Sequence, residues 1–241
     1  MEVINDLLGY DGLKIIQDPE MFSFSIDTVC LAYFATINKK VNNIVDLCTG
    51  NAPIPLYLTL RTKAHITGVE IQKKVYELGC KSVKMNNKES QITLLNYDLK
   101  GIHEIIKEKV DLVTCNPPFF KVDETSNINK SEYKTIARHE VKVTLEECVK
   151  EASKLLSTGG YFAMVHRPDR LVEILEVMKK YKIEPKRLQF IYSKIDCEPN
   201  HILIEGIKDG NSGLKVLKPL IVYENGKWSK EILKIYNLKE E

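Results

Sequence analysis

The sequence predicts an α/β fold: a largely parallel sheet, covered on both faces by helices, with an antiparallel pair at one edge. Three observations carry this. Short runs rich in β-branched residues alternate with longer segments of helical period, as parallel strands joined by crossover helices require. Late in the chain two strand-like runs flank "IDCEPN", which contains turn residues and fits an antiparallel pair. The 241 residues, 44% hydrophobic and 28% charged, suit one large core, so 1–241 reads as a single domain. Within it we distinguish an N-terminal segment (1–40), a core (41–208) and a C-terminal extension (209–241).

The elements follow in order. A helix begins near Ile26, where Ser25 can serve as its cap. "NIVDLC" (43–48), "HITGVEI" (65–71), "ITLLNYD" (92–98), "VDLVTC" (110–115) and "YFAMVH" (161–166) read as strands. Helical period marks 72–86 and 144–156, the latter closed by the glycines of "STGG". A further helix fits 169–181, and "RLQFIYSK" and "HILIEGIK" form the antiparallel pair. The last apolar run, "LKVLKPLIVY", meets a tight turn at Asn225 and Gly226. The polar, glycine-free stretch 121–135 reads as a mobile loop.

Composition excludes several classes. Lys+Arg at 35 against Asp+Glu at 33 leaves a net charge of +2, so any basic surface must be local. Six cysteines without a C-x-x-C pair, and five scattered histidines, predict no metal site and fit a reducing compartment. No basic n-region with a long apolar stretch opens the chain, so no signal peptide or membrane span is expected, and we read a cytoplasmic protein.

Open parallel sheets bind ligands at the carboxyl ends of their strands. The first strand ends "DLCTGNAPIPL", where Asp46 closes the strand and Gly50 permits a tight turn. The fingerprint G-x-G-x-x-G is absent, which argues against NAD and FAD. Glu70 ends the second strand, near the spacing at which a carboxylate accepts two ribose hydroxyls, and Asp98 ends the third, where it can meet an adenine amino group. A single such acid is commonly a solvated charge or a helix cap; three at successive strand ends point to a nucleoside.

The fourth strand ends in "CNPPFF". An exocyclic adenine amine is a poor nucleophile because its lone pair is delocalised into the ring. Two acceptors aimed at its hydrogens favour the pyramidal nitrogen that forms as it attacks, and the Asn116 side-chain oxygen with the Pro117 carbonyl can supply them. Pro117 and Pro118 stiffen that geometry and remove competing backbone donors, and Phe119 can stack on the base.

With these residues in place, "DLCTGNAPIPL", "GVEIQ", "DLK" and "TCNPPFF", in that order, resemble the S-adenosyl-L-methionine-dependent class I methyltransferases that modify amino groups. "MFSFSIDTVCLAYFA", "IARHE", "VHRPDRL" and "EPKRLQFIY" are similar to the bacterial branch that makes N6-methyladenosine at position 37 of a valine tRNA; the likeness runs from about Leu7 to Tyr223. It implies a Rossmann-like, seven-stranded, mostly parallel sheet with an antiparallel edge strand. It implies cofactor contacts from Asp46, Leu47, Cys48, Thr49, Gly50 and Asn51, from Glu70 and Ile71, from Asp98 and Leu99, and from Asn116. Phe24, Ser25 and Asp27 would close over the cofactor, and Asn116, Pro117, Pro118 and Phe119 would hold the target amine.

The sequence departs from the family where Gly50 is followed by Asn51 and Ala52, since the turn is usually G-x-G and Ala52 adds a Cβ that resists positive φ. The implied partner is the tRNA anticodon stem-loop, met by a monomer. Its phosphates would contact Lys130, Lys134, Arg138 and His139 after the catalytic motif, and Arg167, Arg170, Lys186 and Arg187 further on. His139 is also a less favoured candidate base. The same motif serves amines on DNA adenine, ribosomal RNA and release-factor glutamine. An RNA-binding module that has lost the cofactor is the alternative from another class.

Overall fold

The structure, a computed structural model, describes residues 1–7, 12–21, 24–119 and 142–237. The chain opens with a hairpin, β1 (Val3–Asp6) and β2 (Lys14–Gln17), followed by α1 (Ile26–Phe34). It enters the main sheet at β3 (Asn43–Leu47). From there α2 (Pro53–Leu58) leads to β4 (His65–Glu70), α3 (Lys73–Met85) to β5 (Ile92–Asn96), and α4 (Ile102–Ile105) to β6 (Val110–Cys115). Next, α5 (Leu145–Leu155) runs directly into β7 (Leu156–His166). A 3-10 turn at Pro168–Arg170 and α6 (Leu171–Lys180) precede β8 (Ile183–Tyr192) and β9 (Pro199–Lys208). Short strands β10 (Lys215–Val216) and β11 (Leu220–Ile221), a hairpin of β12 (Tyr223–Glu224) and β13 (Lys227–Trp228), and α7 (Lys230–Ile235) complete the described chain.

In space the strands run β5-β4-β3-β6-β7-β9-β8, with β10 and β11 both paired to the outer side of β8. These seven form the body of the sheet. Only β9 runs against its neighbours, pairing antiparallel with β7 and with β8. The predicted hairpin therefore does build this edge, with its antiparallel strand one place inside.

Alternation along the strands feeds two cores. Ile44, Leu112, Ala163 and Leu203 face the layer of α1 and α2, while Val45, Val113, Phe162 and Ile204 face the layer of α5 and α6. Helix α5 starts at a capping box in which Thr144 and Glu147 satisfy each other's backbone N–H groups. It ends at Leu155, and "STGG" lies within β7, with Gly159 at φ +83°. Those glycines were expected only to stop the helix; they also carry the start of the next strand. In the C-terminal extension Asn225 (φ 50°) and Gly226 (φ 79°) make the expected turn, and the Trp228 ring packs 4.7 Å from that of Tyr236.

The segment 1–40 splits in two. Its hairpin lies against α3: Asn86 bonds both the N–H and the carbonyl of Lys14, and the Ser82 hydroxyl accepts from Ile16 N–H. Among the described residues of this segment, Phe24, Ser25 and Thr28, around the start of α1, border the cleft at the carboxyl ends of the strands.

Two glycines around Leu94 leave no room for a side chain. A Cβ on Gly68 would stand 2.6 Å from Leu94 Cδ2 and 2.8 Å from Thr49 Oγ1, and one on Gly79 would stand 2.9 Å from Leu94 Cδ1. Gly68→Ala should therefore cost about 1–3 kcal/mol through overpacking. Urea unfolding would show this as a lower midpoint with an unchanged slope.

Candidate active site

A cleft opens where β3, β4, β5 and β6 end. It is bordered by Cys48–Asn51, Val69–Gln72, Tyr97–Leu99 and Asn116–Phe119, and by Phe24, Ser25 and Thr28 from the start of α1. The placement follows from topology: four parallel strands end on one edge, and their following turns must face one another.

The turn after β3 winds through left-handed backbone, with Cys48 at φ 58°, Gly50 at φ 61° and Ala52 at φ 71°. Ala52 thus takes the conformation its Cβ resists. That costs about 1–2 kcal/mol, offset by burying its methyl completely, about 0.8 kcal/mol for such a group. The departure from the family's glycine does not open the turn. A Cβ on Gly50 would meet nothing within 4 Å, so the backbone there lies bare to the cleft.

Glu70 holds that turn from the next strand. Its Oε2 accepts from Gly50 N–H at 3.0 Å and its Oε1 from Gln72 N–H at 2.8 Å. Burial outweighs these bonds and pushes its carboxyl up to about 7. Beside it Gln72 Oε1 is buried without a hydrogen-bond partner, leaving an acceptor for a ligand with donors. Strand β5 stops at Asn96, two residues before the expected Asp98, and Asn96 Nδ2 donates to the carbonyl of Glu70 at 2.8 Å. Asp98 and Leu99 then border the cleft with Tyr97.

Asp46 and Leu47 stand back from the cleft. Neither borders the cleft; both are fully buried. Asp46 Oδ2 accepts from the Thr49 hydroxyl and Oδ1 from the Thr114 hydroxyl, each at 2.6 Å. Burial raises this carboxyl to about 7 against the pull of those two hydroxyls. Asp46 shapes the turn from behind, and Leu47 belongs to the core under α5.

Asn116 emerges from β6 with its amide nitrogen tied to α1, donating to Asp27 Oδ2 at 3.1 Å and to Thr28 Oγ1 at 3.0 Å. Asp27 is therefore placed behind Asn116 and does not border the cleft. Ser25 sits at the helix N-cap, yet its hydroxyl donates to Asp27 Oδ1 instead of capping a backbone N–H. Pro117, Pro118 and Phe119 border the cleft. The Phe119 ring lies 5.4 Å from the His166 ring and 5.5 Å from that of His201. His166 Nδ1 accepts from Arg167 N–H at 2.8 Å, and burial lowers its pKa to about 4, which keeps the ring neutral.

The expected RNA contacts divide. Lys130, Lys134, Arg138 and His139 lie, with the loop 121–135, outside the described residues. Arg167 borders the cleft. Arg170 is buried and doubly bonded to Glu173, which commits its guanidinium to the fold. Lys186 donates to the carbonyls of Asn211 and Ser212. Arg187 pairs with buried Glu205 at 3.1 Å, donates to the Phe34 carbonyl and lies over the Phe34 ring at 4.2 Å. Arg170 and Arg187 are thus structural, contrary to the charge pattern that nominated them.

Residues that the sequence did not signal also border the cleft, among them Thr28, Gln72, Tyr97, Lys142 and His201. His201 sits in a strand with nothing distinctive around it; only the return of β9 beside β7 brings it to Phe119. The sulfurs of Cys48, Cys115 and Cys148 converge within 4.8 Å of one another, a cluster their chain spacing did not suggest. Hydrogen bonds from Cys148 and Cys48, with burial, hold the Cys115 thiol well above its ordinary range.

The model of the family described as "methyltransferase small domain" matches residues 12–184. The chain belongs to this family. Among curated relatives, a tRNA1(Val) (adenine(37)-N6)-methyltransferase of Porphyromonas gingivalis is 30% identical over 207 residues, covering 83% of this chain and 80% of the relative. One of the same name from Flavobacterium psychrophilum is 25% identical over 216 residues, covering 83% and 91%. Among solved structures, the predicted O-methyltransferase Atu636 of Agrobacterium tumefaciens superposes with a TM-score of 0.70 at 19% identity, covering 88% of this chain and 96% of that one. At that identity the likeness speaks for the fold.

In this methyltransferase the raised Asp46 carboxyl makes stability depend on pH. An acid whose folded value lies near 7 and whose unfolded value lies near 3.8 takes up protons on folding between those limits. Its contribution is most favourable below about pH 4 and is lost as pH rises to about 7. Asp46→Asn, which keeps the shape without the charge, should gain thermal stability relative to the parent at pH 8 compared with pH 5; differential scanning fluorimetry at the two pH values measures this.

Proposed function

We propose that this chain transfers a methyl group from S-adenosyl-L-methionine to the N6 amine of adenine 37, beside the anticodon of a valine tRNA. The observation that carries the reading is Asn116 with Pro117, Pro118 and Phe119 facing the same cleft as Glu70 and Asp98. The names of the relatives support the tRNA substrate.

The residues fit the cofactor. Glu70 offers its carboxylate to ribose hydroxyls, Gln72 Oε1 is an acceptor in want of a donor, and the bare backbone at Gly50 admits close approach. When bound, S-adenosyl-L-methionine supplies a methyl carbon activated by its positive sulfur, so that the N–C bond forms as the C–S bond breaks and the sulfur becomes a neutral thioether. Asn116 Oδ1 and the Pro117 carbonyl accept from the two N6 hydrogens and favour the developing positive charge on nitrogen. Phe119, buttressed by His166 and His201, stacks on the base. The methylated nitrogen sheds one proton to water, so no strong base is required.

Arg167 and Lys142 at the cleft border suit backbone phosphates of an anticodon stem-loop, whose bases are already partly unpaired and are extruded at reduced cost. A cytoplasmic location accords with this substrate. Among the described residues no helix is long and apolar enough to cross a membrane.

The test is labelled S-adenosyl-L-methionine supplied with total RNA, DNA and release factor, followed by nucleoside and amino-acid analysis. N6-methyladenosine in valine tRNA is expected; label only in DNA or in glutamine would overturn the substrate. Asn116→Ala should lower transfer by at least about a hundredfold, with cofactor affinity retained in calorimetry.

Glu70 gives a second expectation. Ribose hydroxyls bond the ionised carboxylate best, and burial holds Glu70 near 7. Cofactor affinity should therefore rise from pH 6 to pH 8, and Glu70→Gln should bind more weakly without that rise. Isothermal titration at the two pH values measures both.

A further inference from the structure

We infer that Asp27 and Thr28 are positioning residues for methyl transfer, acting through Asn116; the inference rests on the amine-methylating reading above. An asparagine amide has one accepting oxygen and one donating nitrogen, and either can face a substrate unless its surroundings choose. Here both N–H bonds of Asn116 are taken, one by Asp27 Oδ2 at 3.1 Å and one by Thr28 Oγ1 at 3.0 Å. A flipped amide would set its oxygen against the Asp27 carboxylate, which can only accept. The carboxylate thus fixes the orientation, and Oδ1 is left as an acceptor for the target amine.

Asp27 is placed for this task and for little else. It lies in the first turn of α1, is 2% exposed and takes the Ser25 hydroxyl on its other oxygen. Its neighbours Ser25 and Thr28 border the cleft, while Asp27 stands one layer back. A carboxylate that accepts from an amide N–H draws the amide's electron density toward its oxygen, and in a site of low dielectric such linked bonds reinforce each other. As the amine nitrogen becomes positive, Oδ1 meets it with enhanced negative charge and Asp27 adds a fixed counter-charge behind. The benefit appears in the transition state and hardly in cofactor binding.

The test compares Asp27→Asn, Thr28→Val and Thr28→Ser with the parent. Asp27→Asn should lower kcat by about 10–100-fold, with KM for RNA and the cofactor affinity within about twofold. Thr28→Val should lower kcat by about tenfold and Thr28→Ser should restore it. Independently of activity, protein labelled with 15N-asparagine should show the Asn116 side-chain NH2 pair, assigned by its loss in Asn116→Ala, exchanging slowly with solvent. That pair should shift and exchange about tenfold faster in Asp27→Asn. Unaltered Asn116 resonances in that variant would overturn the inference, as would an unaltered kcat. A loss of cofactor affinity as large as the loss of rate would make Asp27 a cofactor ligand, overturning it too. A parent that methylates no amine would sink the proposed function, while the nitrogen spectra would still decide the positioning.

Discussion

The site depends on one buried carboxylate held between two threonines. Asp46 and Thr114 are register partners on adjacent strands, and Thr49 turns back over Asp46 from the next loop. This clasp joins the turn that borders the cofactor region to the strand that delivers Asn116 two residues later. Removing a carboxylate from water is costly, and two hydroxyl donors lessen that cost without cancelling it, which leaves the group raised to about 7. The turn after β3 and the Asn116 motif are consequently fixed relative to each other by one side chain that does not border the cleft.

A second layer of restraint comes from outside the sheet. Helix α1 supplies Asp27 and Thr28 to Asn116 and Ser25 to the cleft border, while β9 supplies His201 to the ring of Phe119. Elements remote in sequence thus converge on four consecutive residues. The two prolines among those four restrict the backbone, and the side chains on either side of them are held by α1 and by β9.

Much of this was legible in the chain. Strand ends facing one cleft follow from parallel topology, so Glu70, Asp98 and Asn116 could be placed together by counting strands. What escaped was whatever depends on the third dimension. Asp46 looked like a ligand because it closes a strand, yet side chains alternate across the sheet and its own points beneath the turn. Arg170 and Arg187 looked like phosphate contacts because charge runs are read along the chain; in the fold each guanidinium finds an acid, Glu173 and Glu205. The three cysteines at 48, 115 and 148 are scattered in sequence and adjacent in space. The alanine at 52 suggested a disturbed turn, because the compensating burial of a methyl group leaves no mark in a sequence.

The amino-terminal hairpin adds something that a description of the cleft alone would miss. Asn51, in the middle of the turn after β3, donates its side-chain amide to the Ile16 carbonyl at 2.7 Å, so a loop on the cleft's border is guyed to a ribbon that does not line the cleft. Residues upstream of the main sheet therefore help to hold one border of the cleft in place. A change in that ribbon would be felt at the cleft through this tie, without altering any residue on its border.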